Sequence, residues 1–526
     1  MTDHTYDAVD VVVAGSGIAG STMAAELAEA GFSVLVLEAG PERKLSEMVS
    51  SQIWSRRLRW AGPEVIEAGD LVGAANFAMG WGTGGAGLHW YANWYRLHPD
   101  DFRVNTLHGK SLDWPVTYDD LRPWYDHAQA YFGVSGDAKA DQWSPQSDPY
   151  PMPSLPLSRQ SQALKKGFDA VGLSLVSNSL AVNSQSYDGR AGCILDGWCD
   201  AGCPIGALAN PLVLQWPKAF KAGAKLRHHA YVSKITTDPS GKRATGVEYL
   251  DEQGARHFQP AAIVIPACHT IWNARLLLLS ASDHHPDGLG NGSGLLGRHF
   301  TSHALTTIHG LFPDETEPYR GVTGANTLCL EGYDDKTPAK GAFGSRAWLA
   351  AQATKPNDLL GLALARPELY GAGLDDYMRR AARHYGNMTV LCEETSIPEN
   401  RIELDSQKDR FGLPAAKVTN TLPKDNSARS DLAKAEGLKI FKAAGVSEPW
   451  AGQRAPMHMM GGTIMGGDPA TSVTNSFGQT HDVENLFVAG ASLFPTPGAV
   501  NPTATLAALV FRTAKHISDN RAALLR

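Results

Sequence analysis

The sequence predicts a mixed α/β fold made of several parts. Three observations favour it: a strand–turn–helix–strand pattern at the N-terminus, alternating polarity over residues 226–265, and few charged residues for the length. Of the 526 residues, 43% are hydrophobic and 19% are charged, so the chain can bury a large core and is not disordered. The length fits about three domains of ordinary size or one large enzyme body.

The N-terminal element is a βαβ unit of about 30 residues. The run DVVV at residues 10–13 predicts a buried strand, residues 22–30 predict a helix that ends at Gly31, and residues 33–37 predict a second buried strand. A strand, a glycine-rich turn, a helix and a strand in this order are typical of a Rossmann-like nucleotide-binding domain.

The turn of this unit carries three glycines, Gly15, Gly17 and Gly20, in the positions of a dinucleotide-binding turn. The first permits a tight turn, the second lets the backbone approach a pyrophosphate, and the third permits close packing of helix on strand. The helix that follows points free N–H groups at the phosphates. Glu38 ends the second strand, where an acid can bind ribose hydroxyls. FAD and NAD share this turn, so the motif alone does not choose between them.

The remaining elements follow from local signals. Thr117 precedes two acidic residues and predicts a helix N-cap, with a helix to about Phe132. Five prolines make residues 144–158 an extended connector. Residues 226–265 alternate as antiparallel strands do, with a turn near 239–241. Four later elements are expected in this order: a buried strand at 261–266, a helix at 273–280, a strand at 485–488, and a last helix that starts at Asn501–Pro502.

Charge and hydropathy exclude several classes of protein. The net charge is −7 at pH 7, which argues against a nucleic-acid partner because such a partner requires a basic face. The N-terminus has neither the basic nor the apolar region of a signal peptide, and no uncharged apolar run reaches the length of about 18 residues that a membrane span requires. We therefore expect no signal peptide and no membrane span in this chain.

Several stretches carry a resemblance to a known family. They are GSGIAG at 15–20 with LEAG at 37–40, residues 80–102 with Gly84, Gly85, Arg96, Asp101 and Phe102, HMMGGTIMGGDP at 458–469, and NLFVAGASLFPTPGAVNPTATLAAL at 485–509. With these stretches the chain resembles the glucose-methanol-choline (GMC) oxidoreductases from end to end. The resemblance implies FAD as the cofactor and oxidation of an alcohol as the reaction.

The resemblance also implies two interleaved domains. We expect a Rossmann-like FAD-binding domain from residues 1–105, 190–300 and 455–526. The substrate domain, built on an antiparallel sheet with helices, takes residues 106–189 and 301–454. Two departures from the family pattern concern local flavin contacts: the second signature is degenerate at 268–273, and Gly490 stands where many members carry Asp.

Within the family, the chain is most similar to the catalytic subunits of bacterial iron–sulfur FAD-dependent glucose, fructose and gluconate dehydrogenases. The shared stretches are DWP at 113–115, YDDL at 118–121, PYPMP at 149–153, YDGR at 187–190 and CPIGA at 203–207. This similarity implies a carbohydrate substrate, a small subunit that bears the export signal, and a multiheme cytochrome c subunit. It implies a periplasmic location on the membrane through those subunits; a cytoplasmic enzyme is the alternative.

The candidate catalytic pair is His458 and Asn501. Histidine is the natural base near neutral pH for the proton of a hydroxyl group, and His458 matches the family's catalytic histidine. The second position of the family's pair, His or Asn, is Asn501, which orients the hydroxyl by hydrogen bonding. A satisfied core histidine is the alternative for His458. Asn501 with Pro502 also suits the start of the last helix, whose positive N-terminus points at the flavin in the family.

Further cofactor contacts come from the same motifs. The candidates are Gly15, Gly17, Gly20, Glu38, Gly84, Gly85, His89, Val232, Ala491 and Asn501. Some relatives link the flavin covalently to a histidine in the region of His89; the alternative is a histidine that packs beside the flavin ring. Aromatic side chains near this signature can stack on sugar rings or pack in the core: Trp81, Trp90, Tyr91, Trp94 and Tyr95.

Three cysteines, Cys193, Cys199 and Cys203, lie within eleven residues, and the loop 192–206 that contains them also has four glycines: Gly192, Gly197, Gly202 and Gly206. Three thiolates suit a [3Fe–4S] cluster with one cysteine per iron, whereas a [4Fe–4S] cluster requires four and zinc usually takes a fourth ligand. Spacing alone leaves these alternatives open, and the resemblance favours the [3Fe–4S] cluster in the loop 192–206. Cys268, Cys329 and Cys392 are isolated and are expected to be plain buried thiols.

Together these observations predict a sugar or polyol dehydrogenase. A hydride passes from a carbohydrate hydroxyl carbon to flavin N5, and electrons leave one at a time through the cluster to a cytochrome or quinone. Two alternatives are a gluconate 2-dehydrogenase-type enzyme and an oxidase-like enzyme that acts at C3 of a glycoside or pyranose. A flavoprotein electron carrier without its own substrate is a third, against which the pair of His458 and Asn501 argues.

Overall fold

The computed structural model of the protein describes residues 4–60, 62–73, 75–77, 79–140, 143–145, 147–364, 366 and 368–526. In these residues the strands are β1 (His4–Thr5), β2 (Val9–Ala14), β3 (Val34–Leu37), β4 (Ile66–Gly69), β5 (Ser135–Gly136), β6 (Met152–Pro153), β7 (Val176–Ser177), β8 (Lys225–Arg227), β9 (Tyr231–Thr237), β10 (Ala244–Leu250), β11 (Arg256–Pro266), β12 (Thr301–Leu311), β13 (Ala325–Cys329), β14 (Arg346–Gln352), β15 (Tyr385–Cys392), β16 (Arg401–Lys408), β17 (Pro414–Asn420), β18 (Trp450–Ala451) and β19 (Ala455–Met460).

The helices of the described residues are α1 (Ile18–Glu29), α2 (Gln52–Arg59), α3 (Val104–His108), α4 (Tyr118–Phe132), α5 (Arg159–Ala170), α6 (Gln215–Lys221), α7 (Thr270–Leu279), α8 (Pro356–Leu364), α9 (Ala372–His384), α10 (Lys424–Ala443), α11 (Thr503–Asp519) and α12 (Arg521–Leu524). Short 3₁₀ turns lie at Leu45–Glu47, Gly85–Leu88, Pro99–Phe102, Cys199–Ala201 and Ala491–Leu493. Among the helices described, none is long and apolar enough to cross a membrane.

The first sheet has the order β8-β3-β2-β11-β10-β9, and β1 pairs with β11. Its β8, β3, β2 and β11 strands are parallel, while β9, β10 and β11 form an antiparallel meander. Helices α1, α6 and α11 cover one face with an apolar core. The predicted βαβ unit is therefore confirmed, although α1 begins at Ile18, four residues earlier than predicted, because the helix starts directly after the second glycine of the turn.

The second sheet is antiparallel and has the order β18-β12-β15-β14-β13-β7, with β19 paired to β12. Helices α5 and α10 pack on it through an apolar core that includes Phe168, Phe441 and Trp348. A small sheet β16-β17-β4 and the pair β5-β6 complete the strand pairing of the described residues. A mixed α/β fold with one mixed and one antiparallel sheet is the class that the sequence predicts.

Most predicted elements agree with the structure, and one does not. Helix α4 ends at Phe132 and begins after Thr117, whose hydroxyl accepts a hydrogen bond from the backbone N–H of Asp120, as an N-cap does. Residues 485–488 were expected to form a strand and instead form an extended segment with isolated bridges. Val264 N donates to Asn485 O at 3.1 Å, Phe487 N donates to Val264 O at 3.0 Å, and Ala489 N donates to Pro266 O at 2.8 Å. The segment therefore follows the edge of β11 until the chain turns at Gly490 (φ 125°).

The connector at 144–158 contains residue 146, which lies outside the described residues. The other residues of the connector are extended and contribute only the two-residue strand β6. Its prolines lack backbone N–H donors and fix φ, so the short strand is consistent with the predicted connector.

A buried ion cluster joins the two sheet regions. The ammonium group of Lys336 lies 2.7 Å from Asp101 Oδ1, 2.7 Å from Glu393 Oε2 and 2.8 Å from Ser345 Oγ. All three charged side chains are at most 1% exposed. Lys336 holds the pKa of Asp101 below its ordinary value despite burial, so the carboxylate is charged and the cluster bridges the first-signature segment to the antiparallel sheet.

Candidate active site

A cavity of about 290 Å³ lies between the N-terminal turn and the start of α11. Seven of the eleven predicted catalytic and cofactor-binding residues line it: Gly15, Gly17, Glu38, Gly85, Val232, Ala491 and His458. The other four are sequence neighbours of lining residues: Gly20, Gly84, His89 and Asn501. The structure thus brings the nucleotide-binding turn and the candidate base to one cavity, as the sequence predicts for a cofactor that extends between them.

Each of the three positions in the turn requires glycine for a different reason. Gly15 has φ 101°, and a Cβ there would lie 2.6 Å from the carbonyl oxygen of Ala267. A Cβ on Gly20 would lie 2.0 Å from the carbonyl oxygen of Gly15, so only glycine allows α1 to pack on the turn. At Gly17 the nearest atom to a Cβ would be 3.8 Å away, which leaves the space beside the backbone open for a ligand.

The carboxylate of Glu38 is 6% exposed and is saturated with hydrogen bonds. One oxygen accepts from Ser16 N at 3.0 Å and Ser16 Oγ at 2.6 Å, and the other accepts from Gly40 N at 2.8 Å and Gly82 N at 3.0 Å. These four bonds use the acceptor positions of the group. Glu38 therefore ties the turn to the first-signature segment, and its contact with a ribose stays a prediction.

Three helices begin at the cavity without a side-chain cap. Their N-cap residues are Gly17 for α1, His269 for α7 and Pro502 for α11, and all three line the cavity. Asn501 was expected to cap the last helix; that prediction is wrong, because Asn501 precedes the N-cap and its amide turns to His458. Free N–H groups and the helix dipoles give this cavity a positive character that suits an anionic pyrophosphate and an electron-rich ring.

Unpartnered polar nitrogens provide a second test of whether a cofactor fits. Within the described residues, His269 Nδ1, Trp90 Nε1 and His89 Nε2 are buried and lack a hydrogen-bond partner. His269 and Trp90 line the cavity. Burial lowers the pKa of His269 to about 4 and that of His89 to about 3, so both rings are neutral and available to a polar ligand. The residues present therefore fit a dinucleotide cofactor.

His458 lies in a bulge of β19. Thr301 pairs with Met460 and His303 with Met457, so β19 has one residue more than β12 in this stretch. His458 has φ 59°, a left-handed conformation that costs a non-glycine residue about 1–2 kcal/mol. Bulges beside active sites redirect a side chain, and here the imidazole faces the cavity.

The imidazole of His458 has a neighbour at each nitrogen. Nε2 lies 2.9 Å from the amide nitrogen of Asn501, and Nδ1 lies 2.9 Å from Nδ1 of His303. Burial, with a smaller contribution from His303, lowers the pKa of His458 well below its ordinary value. The ring is therefore neutral near pH 7, which is the state that a general base requires.

Asn501 lies on a loop that buried hydrogen bonds hold in place. Its Oδ1 is buried and has no partner in the described part of the chain. Ala499 N donates to Tyr333 Oη at 2.9 Å, and that hydroxyl donates to Asp101 Oδ2 at 2.8 Å. Through Asp101 the loop is connected to the buried ion cluster, so Asn501 is placed by residues of both sheet regions.

His303 was not predicted from the sequence. It belongs to none of the motifs identified in the sequence, and the same strand carries a second buried histidine, His309, that does not contact the cavity. Its proximity to His458 results from the pairing of β12 with β19 across 155 residues of sequence. His269 was noted only as a departure from the family pattern, and its position at the cavity depends on the packing of α7.

Of the aromatic residues near the first signature, some are available to a ligand and others pack in the core. Trp81 and Trp90 line the cavity. Trp94 and Tyr95 are buried at 2% and 3% exposure and belong to the core. Tyr91 accepts a hydrogen bond from Arg59 at 2.9 Å, so only the first two are available to a ligand of the cavity.

The three loop cysteines form a second feature, in the segment 192–206. Each sulfur accepts a backbone N–H: Cys193 from Leu195 at 3.3 Å, Cys199 from Thr323 at 3.4 Å and Cys203 from Leu208 at 3.3 Å. Burial raises the pKa of Cys193 to about 11 and also raises that of Cys199 and Cys203. Among the residues described, no group of three or more His, Cys, Asp or Glu is arranged to hold a metal ion.

Two family models match this chain. Both are described as GMC oxidoreductase; the N-terminal model matches residues 10–305 and the C-terminal model matches residues 397–509. These ranges include the N-terminal turn, the first signature, His303, His458 and Asn501.

Curated relatives match over nearly the whole chain. The 2-methyl-1,2-propanediol dehydrogenase of Mycolicibacterium austroafricanum is 33% identical, covering 97% of this chain and 95% of the relative. The fructose dehydrogenase large subunit of Gluconobacter japonicus is 31% identical over 99% of both chains. The gluconate 2-dehydrogenase flavoprotein of Pantoea cypripedii is 30% identical, covering 97% of this chain and 94% of the relative.

A solved structure supports the fold. Formate oxidase matches all of both chains with a TM-score of 0.66 at 14% sequence identity. At this identity the likeness concerns the fold alone.

Proposed function

The chain belongs to the GMC oxidoreductase family, and we propose that it is the catalytic subunit of an FAD-dependent dehydrogenase for a sugar or polyol hydroxyl. As a member of this family it is an FAD-dependent enzyme that oxidises alcohol groups. The observation that carries the proposal is the neutral imidazole of His458, which faces the cavity with Asn501 beside its Nε2.

The reaction begins with a substrate hydroxyl group that replaces the amide of Asn501 at Nε2 of His458 and stays within reach of the Asn501 side chain. The amide of Asn501 donates a hydrogen bond, and its unpartnered Oδ1 can accept one, so this side chain orients the substrate. His458 accepts the hydroxyl proton at Nε2, which is feasible because burial keeps the ring neutral. Bound FAD supplies the hydride acceptor.

Chain groups also prepare the cavity for the charge of the cofactor. The N-terminus of α1, with Gly15 and Gly17, would hold the pyrophosphate. The uncapped N-terminus of α11, with Pro502 and Thr503 at the cavity, would stabilise negative charge on the ring. Trp81 and Trp90 border the same space and help to exclude water.

The substrate class rests on the relatives together with the site. The named relatives act on a branched diol, on fructose and on gluconate. Each presents a hydroxyl beside another oxygen substituent, and the Asn501 amide with His458 offers one donor and one acceptor to such a group. We therefore propose a sugar, sugar acid or small polyol as substrate.

We further propose that Cys193, Cys199 and Cys203 would hold a [3Fe–4S] cluster, which would supply one-electron transfer to a multiheme cytochrome c subunit. The three sulfurs lie on one loop, and each accepts a backbone N–H bond, an interaction that tunes cluster potentials. Each thiolate in such a cluster binds its own iron, so the sulfurs need not converge on one point. A small export subunit and a periplasmic location on the membrane belong to the same proposal.

A substrate screen tests the proposed function. Purified holoenzyme is mixed anaerobically with a redox dye and with aldoses, ketoses, sugar acids and small diols in turn. We expect rapid dye reduction with one of these classes, and slow peroxide formation when oxygen is the only acceptor. Reduction of the flavin by none of these alcohols would contradict the proposal, and rapid peroxide formation would favour an oxidase.

A further inference from the structure

His303 is completely buried on β12 and contacts two parts of the active site. Its Nε2 lies 3.0 Å from the carbonyl oxygen of Gly498 and 3.3 Å from that of Pro497. Its Nδ1 lies 2.9 Å from Nδ1 of His458. The ring is therefore placed between the loop that carries Asn501 and the candidate base.

These contacts determine where the protons are. A carbonyl oxygen only accepts hydrogen bonds, so Nε2 of His303 carries a hydrogen. Burial lowers the pKa of His303 to about 4, so the ring is neutral and its Nδ1 is an acceptor. The hydrogen between the two rings must then belong to Nδ1 of His458.

The tautomer of His458 also determines the state of its nitrogen at the cavity. Because neutral His458 carries its hydrogen on Nδ1, its Nε2 has a lone pair. That nitrogen faces the amide nitrogen of Asn501, which is a donor, at 2.9 Å. The chain of bonds from Gly498 O through His303 and His458 to Asn501 thus has one consistent direction, and each donor meets an acceptor.

We propose that His303 is a positioning residue that holds His458 in the tautomer whose Nε2 lone pair faces the substrate. This inference rests on the proposed function, in which His458 is the base. When the substrate hydroxyl proton moves to Nε2, the carbon–hydrogen electron pair leaves as hydride to bound FAD, and His458 becomes an imidazolium. Its Nδ1–H then donates a charge-assisted bond to His303, which stabilises that cation.

The loop that presents the carbonyl groups is fixed independently of the histidines. Ala499 N donates to Tyr333, which donates to Asp101, and Thr496 Oγ1 donates to Asp101 O at 3.0 Å. The acceptor of the His303 N–H is therefore held by the first-signature segment. His303 donates its Nε2–H to carbonyl groups of this loop, and its Nδ1 therefore accepts the hydrogen of His458 Nδ1. The position of the loop thus determines the tautomer of His458.

Two substitutions in the FAD-loaded enzyme separate positioning from packing. His303→Asn keeps an acceptor oxygen near the position of Nδ1, whereas His303→Leu keeps an apolar side chain without an acceptor. His309→Leu is a matched control, since His309 is a buried histidine of the same strand that bonds Tyr385 outside the cavity. Flavin content, the single-turnover rate of flavin reduction and the apparent KM are measured for each protein.

We expect His303→Leu to bind FAD, to reduce it about 10–10²-fold more slowly and to keep its apparent KM. His303→Asn should recover most of the rate, and His309→Leu should resemble the unsubstituted enzyme. Equal slowing by the Asn and Leu variants would overturn the proposal, because it would indicate a packing role. A rate in His303→Leu within about twofold of the unsubstituted enzyme would also overturn it.

A spectroscopic measurement decides the matter if His303→Leu does not fold. In ¹⁵N-histidine-labelled holoenzyme without substrate, the His458 signals are identified by their loss in His458→Gln. A protonated Nδ1 and a lone-pair Nε2 support the proposal, and the opposite tautomer overturns it. This measurement requires no turnover, so it remains informative even if the dye screen identifies no alcohol substrate and the proposed function fails.

Discussion

The catalytic network and the cysteine loop are built in opposite ways. His303, His458 and Asn501 come from β12, β19 and the loop before α11, and pairing of strands brings them together. The three cysteines come from one stretch of eleven residues whose sulfurs are bonded by nearby backbone N–H groups, with Thr323 as the one distant donor.

This difference determines how each region responds to change. The catalytic network depends on contacts between the two sheet regions, including the ion cluster of Lys336, so distant substitutions should affect it. The cysteine loop is mostly local, and its alteration should leave the flavin cavity intact. The expected effects below follow this distinction, from the largest to the smallest.

Loss of the base is the largest expected effect. His458→Ala removes the acceptor of the hydroxyl proton, and the rate of flavin reduction by the best substrate should fall about 10²–10⁴-fold. FAD content should be retained, because the N-terminal turn is untouched. Rapid-mixing absorbance of the flavin measures the rate, and near-normal reduction would remove His458 from the mechanism.

The buried cluster provides the next effect. Lys336→Met leaves Asp101 and Glu393 buried without a cation, which should lower the free energy of unfolding by about 3–5 kcal/mol. Urea denaturation of the holoenzyme measures this change. The control is Lys340→Met, at an exposed position in the same segment. Equal stability of the two variants would show that the sheet regions do not depend on the cluster.

The pH dependence of flavin reduction tests whether the base of the catalytic network is a buried, neutral histidine. The base is active when unprotonated, and the pKa of His458 lies well below its ordinary value of 6.5. The flavin-reduction rate with saturating substrate should therefore be nearly constant from about pH 8 to about pH 6 and fall only in stronger acid. A histidine of ordinary pKa would lose about three quarters of its unprotonated form at pH 6. A fall of that size would contradict the neutral, buried base.

The smallest effect on flavin reduction is expected at the cysteine loop. Cys199→Ser should lose iron and acid-labile sulfide, which we expect at about three irons per flavin in the anaerobically purified enzyme. Flavin reduction by substrate and dye reduction should stay nearly unchanged, while reduction of a cytochrome c should be lost.

The matched control for this variant is Cys392→Ser, because Cys392 is equally buried but isolated from the loop. It should retain iron and cytochrome reduction. Zinc or no metal in the unsubstituted protein would refute the cluster. Equal cytochrome reduction by Cys199→Ser and the unsubstituted enzyme would mean that electrons leave by another route.

Local signals in the sequence were sufficient for the nucleotide-binding unit. Gly15, Gly17 and Gly20 lie within one turn. The steric reason for Gly20 lies in the turn itself, and the one for Gly15 lies at the end of the adjacent strand β11. The helix after Thr117 was equally predictable, because an N-cap and its first turn are contiguous. The same holds for the grouping of the three cysteines, although their ligand remains a prediction.

Tertiary structure alone decided the details of the active site. Asn501 could cap a helix by its sequence, but the position of β19 turns its amide to His458 instead. The strand expected at 485–488 is an extended segment that is bonded to β11 at alternate residues up to Ala489, where both β11 and the segment end. His303 carries no local signal, and its role depends on strand pairing, a bulge at His458 and carbonyl groups 195 residues away. The direction of each hydrogen bond in this network depends on all the groups that it connects. These groups are far apart in the sequence, so a local sequence pattern does not reveal them.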